Sequence, residues 1–129
     1  NTRLLIAEDY EGNVVMLSFM LEDLNIDFDV ANTGQEAVNL WSENRYDAVL
    51  MDIQMPEMDG FTATKEIRQL EQKKKKPRTP IIGMTAHALA GDRSKCLAAG
   101  MDSYLPKPLV EVDLKKEILK FVSDKKKAA

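Results

Sequence analysis

Cysteine is nearly absent from these 129 residues: Cys96 stands alone, so neither an internal disulfide nor a thiolate metal cage can form, and the composition suits a reducing compartment. No apolar run approaches the ~20 residues needed to cross a bilayer, and the N-terminus carries no signal-peptide pattern. A soluble, cytoplasmic domain is expected, or the cytoplasmic part of a membrane-bound protein. An excess of positive charge is also missing. Lys and Arg total 18 against 21 Asp and Glu, a net charge of −3, which disfavours nonspecific nucleic-acid binding. The length leaves no room for a two-domain enzyme, while 44% hydrophobic residues are enough to fill one core. With no tandem repeat or linker, the expected organisation is one domain over residues 1–124 and a charged tail over 125–129. The opening Asn1 and the closing Lys125, Lys126, Lys127, Ala128 and Ala129 suggest a piece of something longer.

What is present is a fivefold alternation of short apolar runs with longer amphipathic segments. Leu4 to Ala7 read as a buried strand, and Asn13 to Leu24 as a helix with Val14, Leu17, Leu21 and Leu24 at helical spacing. A second strand covers Phe28 to Ala31. Thr33 and Glu36 form a capping-box pattern ahead of a helix whose apolar face holds Ala37, Val38, Leu40 and Trp41. Trp41 is read as packing. Ala48 to Met51 form a third strand that stops at Asp52, and Pro56 and Gly60 punctuate the loop behind it. The next helix, through Ile67 and Leu70, is expected to break into a solvated loop at Lys73, Lys74, Lys75, Lys76 and Pro77, with partner docking as the sharper alternative for the lysines. Ile81 to Met84 read as strand four, ending at Thr85. Leu89 to Ala99 read as a helix closed by Gly100, Ser103 to Leu105 as strand five, and Val110 to about Val122 as the last helix.

Strands without polar alternation are buried on both faces, and a regular βα repeat implies right-handed crossovers onto a parallel sheet. The expected fold is α/β, flavodoxin-like, with strand order 2-1-3-4-5 and helices on both faces. That order puts a ligand site at the carboxyl ends of strands one and three. Glu8 and Asp9, Asp52, Thr85 and Lys107 are the polar residues at or just past the strand ends. Two unit charges 4 Å apart repel by roughly 4 kcal/mol at an effective dielectric of ~20, so three carboxylates in one crevice need more counter-charge than Lys107 supplies. A hard divalent ion fits that donor set, and Mg²⁺ is the implied cofactor. With the charge neutralised, a carboxylate is a competent nucleophile toward a phosphoryl group. Asp52, at the end of the central strand, is the best-aimed of the three.

The Glu8-Asp9 pair, the run Val49-Leu50-Met51-Asp52-Ile53-Gln54-Met55-Pro56-Glu57-Met58-Asp59-Gly60, the Met84-Thr85-Ala86 step and the Lys107-Pro108 pair resemble a response-regulator receiver domain from Leu4 to about Val122. The resemblance implies reversible phosphorylation of Asp52 by a phosphohistidine, with Mg²⁺ held by Glu8, Asp9, Asp52 and the main-chain carbonyl of Gln54. Lys107 and the Thr85 hydroxyl would share the phosphoryl oxygens with the metal, helped by the N–H groups of Ile53 and Ala86. It further implies a switch in which Thr85 moves toward the phosphate and Tyr104 turns inward, reshaping a face made by helix four, strand five and helix five. Gln54 and His87 occupy the variable positions that tune attack of water on the acyl phosphate. The stretch from Met84 to Arg93 followed by Cys96 to Asp102, together with Asn13, is similar to receivers of hybrid sensor histidine kinases, although Tyr10 replaces a commoner asparagine. The implied partners are a histidine kinase domain and a histidine phosphotransfer domain, with no direct nucleic-acid contact and no membrane insertion.

Taken singly, these residues have plainer roles: a turn aspartate at 52, a surface lysine at 107, an exposed His87, a strand-edge Tyr104 and an inert, packed Cys96. Among other functions, a haloacid dehalogenase-type phosphatase needs a second aspartate where Gln54 stands, and a flavin site would be repelled by Glu8, Asp9 and Glu11. A stand-alone single-domain response regulator is the nearest alternative. A pseudo-receiver used only for docking would not need the full set of acids, threonine and lysine.

Overall fold

The computed structural model describes residues 2–55, 57–86 and 90–128. Asn1, Pro56, His87, Leu89 and Ala129, all named above, lie outside the described residues. The chain runs β1 (Arg3–Ala7), α1 (Glu11–Leu21), a 3₁₀ turn (Glu22–Leu24), β2 (Asp27–Ala31), α2 (Gly34–Glu43), β3 (Ala48–Asp52), α3 (Gly60–Lys74), β4 (Ile81–Thr85), α4 (Ala90–Ala99), β5 (Ser103–Pro106) and α5 (Glu111–Ala128). All four strand pairings are parallel and the sheet order is β2-β1-β3-β4-β5, as the alternation of apolar runs implies. No helix among the described residues is long and apolar enough to cross a membrane.

The two faces of the sheet carry separate cores. Side chains alternate along each strand, so Leu5, Ala7, Val49, Met51 and Ile81 pack under α2 and α3 with Ala37, Trp41, Ala63 and Ile67. Leu4, Ile6, Leu50, Ile82 and Met84 pack under α1 and α5 with Leu17, Leu21, Leu114 and Ile118. β3, like β4, is buried along its whole length, which puts Asp52 at the end of a fully enclosed central strand. Cys96 lies in the first core, 1% exposed, and Trp41 is packed there too, its indole N–H donating to Thr79 Oγ1 at 3.1 Å.

Several boundaries differ from the expectations. The first helix starts at Glu11 rather than Asn13, because the Tyr10 carbonyl already accepts the Asn13 and Val14 N–H groups, and its last turn tightens to 3₁₀ geometry. The lysine run is half helical: Lys73 and Lys74 finish α3, and Lys75 closes it in the left-handed region at φ 55°. Lys76 N–H then bonds the Glu71 carbonyl at 2.9 Å, so chain reversal, rather than the charge or Pro77, ends the helix. The final helix continues past Val122 to Ala128, since the Lys and Ala residues there are good helix formers that need no apolar stripe.

Arg68 on α3 ties three elements together at the sheet's N-terminal edge. It donates to Glu71 (2.9 Å), Asp102 (2.8 Å), the Gly100 carbonyl (2.9 Å) and the Thr79 carbonyl (2.9 Å). Removing one partner from a buried ionic network leaves the others uncompensated. Arg68→Met is therefore expected to lower stability by about 3 kcal/mol. Thr33 accepts the Glu36 N–H at 3.0 Å, and Thr33→Ala should cost only about 1 kcal/mol. Urea denaturation of the two variants side by side checks the ranking.

Candidate functional site

Parallel strands that end together bring their following residues together. β1 is followed by Glu8 and Asp9, β3 closes on Asp52, β4 closes on Thr85, and Lys107 follows β5. Carboxylate oxygens of Glu8, Asp9 and Asp52 all lie within 4.8 Å of one another. Lys107 Nζ sits between two of them, 3.0 Å from Glu8 Oε1 and 3.2 Å from Asp52 Oδ2. Its main-chain N–H donates to the Thr85 carbonyl at 2.7 Å, and its bond to Pro108 is cis.

Glycines set the position of Asp52. A Cβ on Gly60 would lie 2.3 Å from the Asp52 carbonyl oxygen, and one on Gly34 would lie 2.0 Å from the Met58 carbonyl oxygen. The first turns of α2 and α3 can thus press against the loop behind β3 only because both positions lack side chains. Asp59 caps α3 by accepting the Thr62 N–H at 2.8 Å. Gln54, exposed in the loop, donates its N–H to Asp52 Oδ1 at 3.2 Å. The Ile53 N–H corrects the sequence reading: it donates to the Met84 carbonyl at 3.1 Å, so it braces β3 against β4 instead of facing the site.

Asn13 is a site residue whose part was not foreseen. Its Nδ2 donates to Glu8 Oε1 at 3.2 Å, and the Tyr10 N–H donates to Glu8 Oε2 at 3.2 Å. A polar residue five positions past an acidic pair at a helix start was the available signal. Thr85 is buried, and Tyr104 is half-buried against the core under α2 and α3. Tyr104 pairs in register with Gly83, two residues before Pro106, the partner of Thr85. The lone histidine, His87, lies outside the described residues.

The charges are unevenly settled. Burial pushes the Asp52 carboxyl up from 3.8 to about 6, reinforced by the hydrogen bond and charge of Glu8, and Lys107 only partly offsets this. Burial opposes ionisation of Glu8 as well, yet the bonds from Lys107, Asp52 and the Tyr10 N–H outweigh it and hold that carboxyl below its ordinary value. Burial also works against the Lys107 charge, but the two carboxylates more than compensate and its pKa is raised. Glu8 and Asp52 are 1% and 4% exposed while Asp9 faces solvent. An acidic set with one open edge and a surplus of negative charge fits a hard, oxygen-preferring divalent cation.

Residues 4–119 match the response regulator receiver domain. The chain belongs to that family, the receivers of two-component signal transduction. It is 39% identical over 119 residues to the sensor protein GacS of Pseudomonas syringae pv. syringae, covering 92% of this chain and 13% of that protein. It is 38% identical over 117 residues to the signal transduction histidine-protein kinase BarA of Escherichia coli K12, covering 91% of this chain and 12% of BarA. This chain therefore spans about an eighth of those two relatives. Among solved structures it resembles the Ssk1 receiver domain of Saccharomyces cerevisiae, co-crystallised with the histidine phosphotransfer protein Ypd1, with TM-score 0.89, 32% identity and coverage of 95% and 90%. It also resembles the receiver of sensor histidine kinase PA1611 from Pseudomonas aeruginosa, which has magnesium coordinated in its active-site cleft (TM-score 0.85, 38% identity, coverage 95% and 98%).

The raised Asp52 pKa has a definite consequence for metal-free protein. Between about 4 and 6 the folded state keeps a proton on Asp52 that the unfolded chain releases, so stability falls as pH rises through that window. Asp52→Asn removes the penalty. In chelator its gain over the parent should be largest above pH ~7, on the order of 2 kcal/mol, and should vanish near pH ~4. Melting midpoints measured across that range check the trend.

Proposed function

We propose that Asp52 is the phosphoacceptor of this receiver and takes its phosphoryl group from a phosphohistidine. The observation that supports this most is the meeting of Glu8, Asp9 and Asp52 within 4.8 Å at one sheet edge, with Lys107 bonded between Glu8 and Asp52. Asp52 oxygen forms the new bond to phosphorus as the phosphorus–nitrogen bond breaks and the imidazole departs. Positioning and charge neutralisation supply most of the catalysis of such a transfer. Glu8, Asp9, Asp52 and the main-chain carbonyl of Gln54 are the residues that would hold Mg²⁺, which when bound supplies positive charge against the phosphoryl oxygens.

Lys107 neutralises the same oxygens from the side of β5, and the Thr85 hydroxyl donates to one of them. Tyr104 responds to the movement of Thr85, the two lying on neighbouring strands, and relays the change to the surface of α4, β5 and α5. Gln54, exposed beside Asp52, sets how readily water reaches the acyl phosphate. The likeness to GacS and BarA supports an origin as the receiver of a hybrid histidine kinase on the cytoplasmic side. Its donor is then a kinase domain and its acceptor a histidine phosphotransfer domain, as the Ypd1 complex of a similar receiver suggests.

Acetyl phosphate, or a phosphorylated histidine phosphotransfer protein, is expected to label the protein only with Mg²⁺ present and Asp52 intact. Retained labelling of Asp52→Asn overturns the assignment. Lys107→Ala should label roughly a hundredfold more slowly. Without a phosphodonor, Mg²⁺ should raise the melting midpoint of the parent and leave that of Asp52→Asn nearly unchanged, and equal shifts in both would remove Asp52 from the metal site.

A further inference from the structure

The end of the sheet remote from Asp52 holds a second feature, built from the α2–β3 and α3–β4 connections. A cavity of about 430 Å³ opens there, with Trp41, Tyr46 and Pro77 as its apolar lining and Arg45 and Lys76 as its cations. It precedes β3 in the chain while Asp52 ends that strand, so it lies about 16 Å from the phosphoacceptor. Its volume falls in the range of pockets that take an organic group.

Among the described residues, the cations at this mouth make no ion pair. Lys76 Nζ lies 5.0 Å from the centroid of the Trp41 ring and 3.4 Å from the Ser42 carbonyl, both neutral groups. Lys74 Nζ bonds the Ser42 hydroxyl at 2.8 Å, also neutral. Arg45 makes no ion pair or hydrogen bond among the described residues. Against them the lining offers one carboxylate, Glu43. Lys75 keeps a side chain at φ 55°, where glycine is the more relaxed residue, and the reversal it makes delivers Lys76 onto Trp41. A protein of net charge −3 thus places positive charge around a cavity in which Trp41, Tyr46 and Pro77 stand among polar residues.

We propose that this cavity binds an acidic peptide segment, one apolar side chain entering between Trp41, Tyr46 and Pro77 while flanking carboxylates pair with Arg45 and Lys76. A peptide fits better than a small anion because the positive charge extends beyond the cavity along Lys73, Lys74 and Lys75, which a ligand confined to the hole would not reach. Apolar anchors in pockets contribute most of the affinity in such contacts, and surrounding charges steer and select. The surface is independent of the phosphoacceptor and does not rest on its assignment.

Trp41 is the only tryptophan, so its fluorescence and its indole N–H resonance are single-site signals from a ring that lines this cavity and packs in the core beneath it. The probe is a short synthetic peptide with a central phenylalanine flanked on both sides by aspartates and glutamates. It is expected to give a saturable change in both signals that weakens with added salt. Replacing its phenylalanine with alanine should weaken binding by about tenfold or more, as should Arg45→Ala and Lys76→Gln in the protein, with their melting midpoints unchanged. The proposal is overturned if the signals do not move. It is equally overturned if a lysine-flanked peptide binds as well, if the two variants bind like the parent, or if free phenylacetate matches the peptide.

Discussion

One ammonium shared by two buried carboxylates is the interaction around which this molecule is arranged. Lys107 lies 3.0 Å from Glu8 and 3.2 Å from Asp52, and neither acid has appreciable contact with water. A single positive charge cannot satisfy both, since at an effective dielectric of ~20 two like unit charges about 4 Å apart repel by roughly 4 kcal/mol. The shortfall is not divided equally. The bonds from Lys107, Asp52 and the Tyr10 N–H hold Glu8 below its ordinary pKa, and Asn13 donates to it as well, whereas Asp52 receives little beyond the Gln54 N–H and is pushed up to about 6. The acid with the least support is the one at the end of the central strand, where added positive charge gains the most.

Such an arrangement persists only because the backbone beneath it cannot relax. The Ile53 N–H on the Met84 carbonyl and the Lys107 N–H on the Thr85 carbonyl lock the ends of β3, β4 and β5 in register. Gly60 and Gly34 allow α3 and α2 to press on the Asp52 carbonyl and on Met58. A methyl group at either position would displace main chain rather than a flexible side chain, and the carboxylate would move with it. Two full cores on opposite sides of the sheet absorb the electrostatic penalty.

Much of this was legible in the residues themselves. Apolar strands without alternation announced a parallel sheet, and a parallel sheet gathers whatever follows its strands, so Glu8, Asp9, Asp52, Thr85 and Lys107 could be placed at one edge before any coordinates. What stayed hidden was tertiary. Nothing local to Asn13 says that it grips Glu8, and Gly34 reads as an ordinary first helical residue until Met58 is seen against it. The Ile53 N–H looked free because its partner, the Met84 carbonyl, is distant in sequence. Helix ends were misjudged where the stop is a backbone conformation, as at Lys75, or where helix-forming polar residues continue without an apolar face, as beyond Val122.

A net charge of −3 conceals an uneven distribution along the strands. Glu8, Asp9 and Asp52 meet where β1 and β3 finish, while Arg45 and the lysines of 73–76 stand near the starts of β3 and β4, alongside the ion-paired Glu71 and Asp102. Between them stand five buried β3 residues, and the Arg68 network, with five bonds to Glu71, Thr79, Gly100 and Asp102, ties the starts of the strands together. Tyr104, by contrast, is half-buried beside Gly83, where Met101 fills the space that a side chain would take. Tyr104 and Thr85 lie on neighbouring, directly paired strands. A change of charge at Asp52 acts first on Lys107, which is bonded to it, and on the neighbouring end of β4.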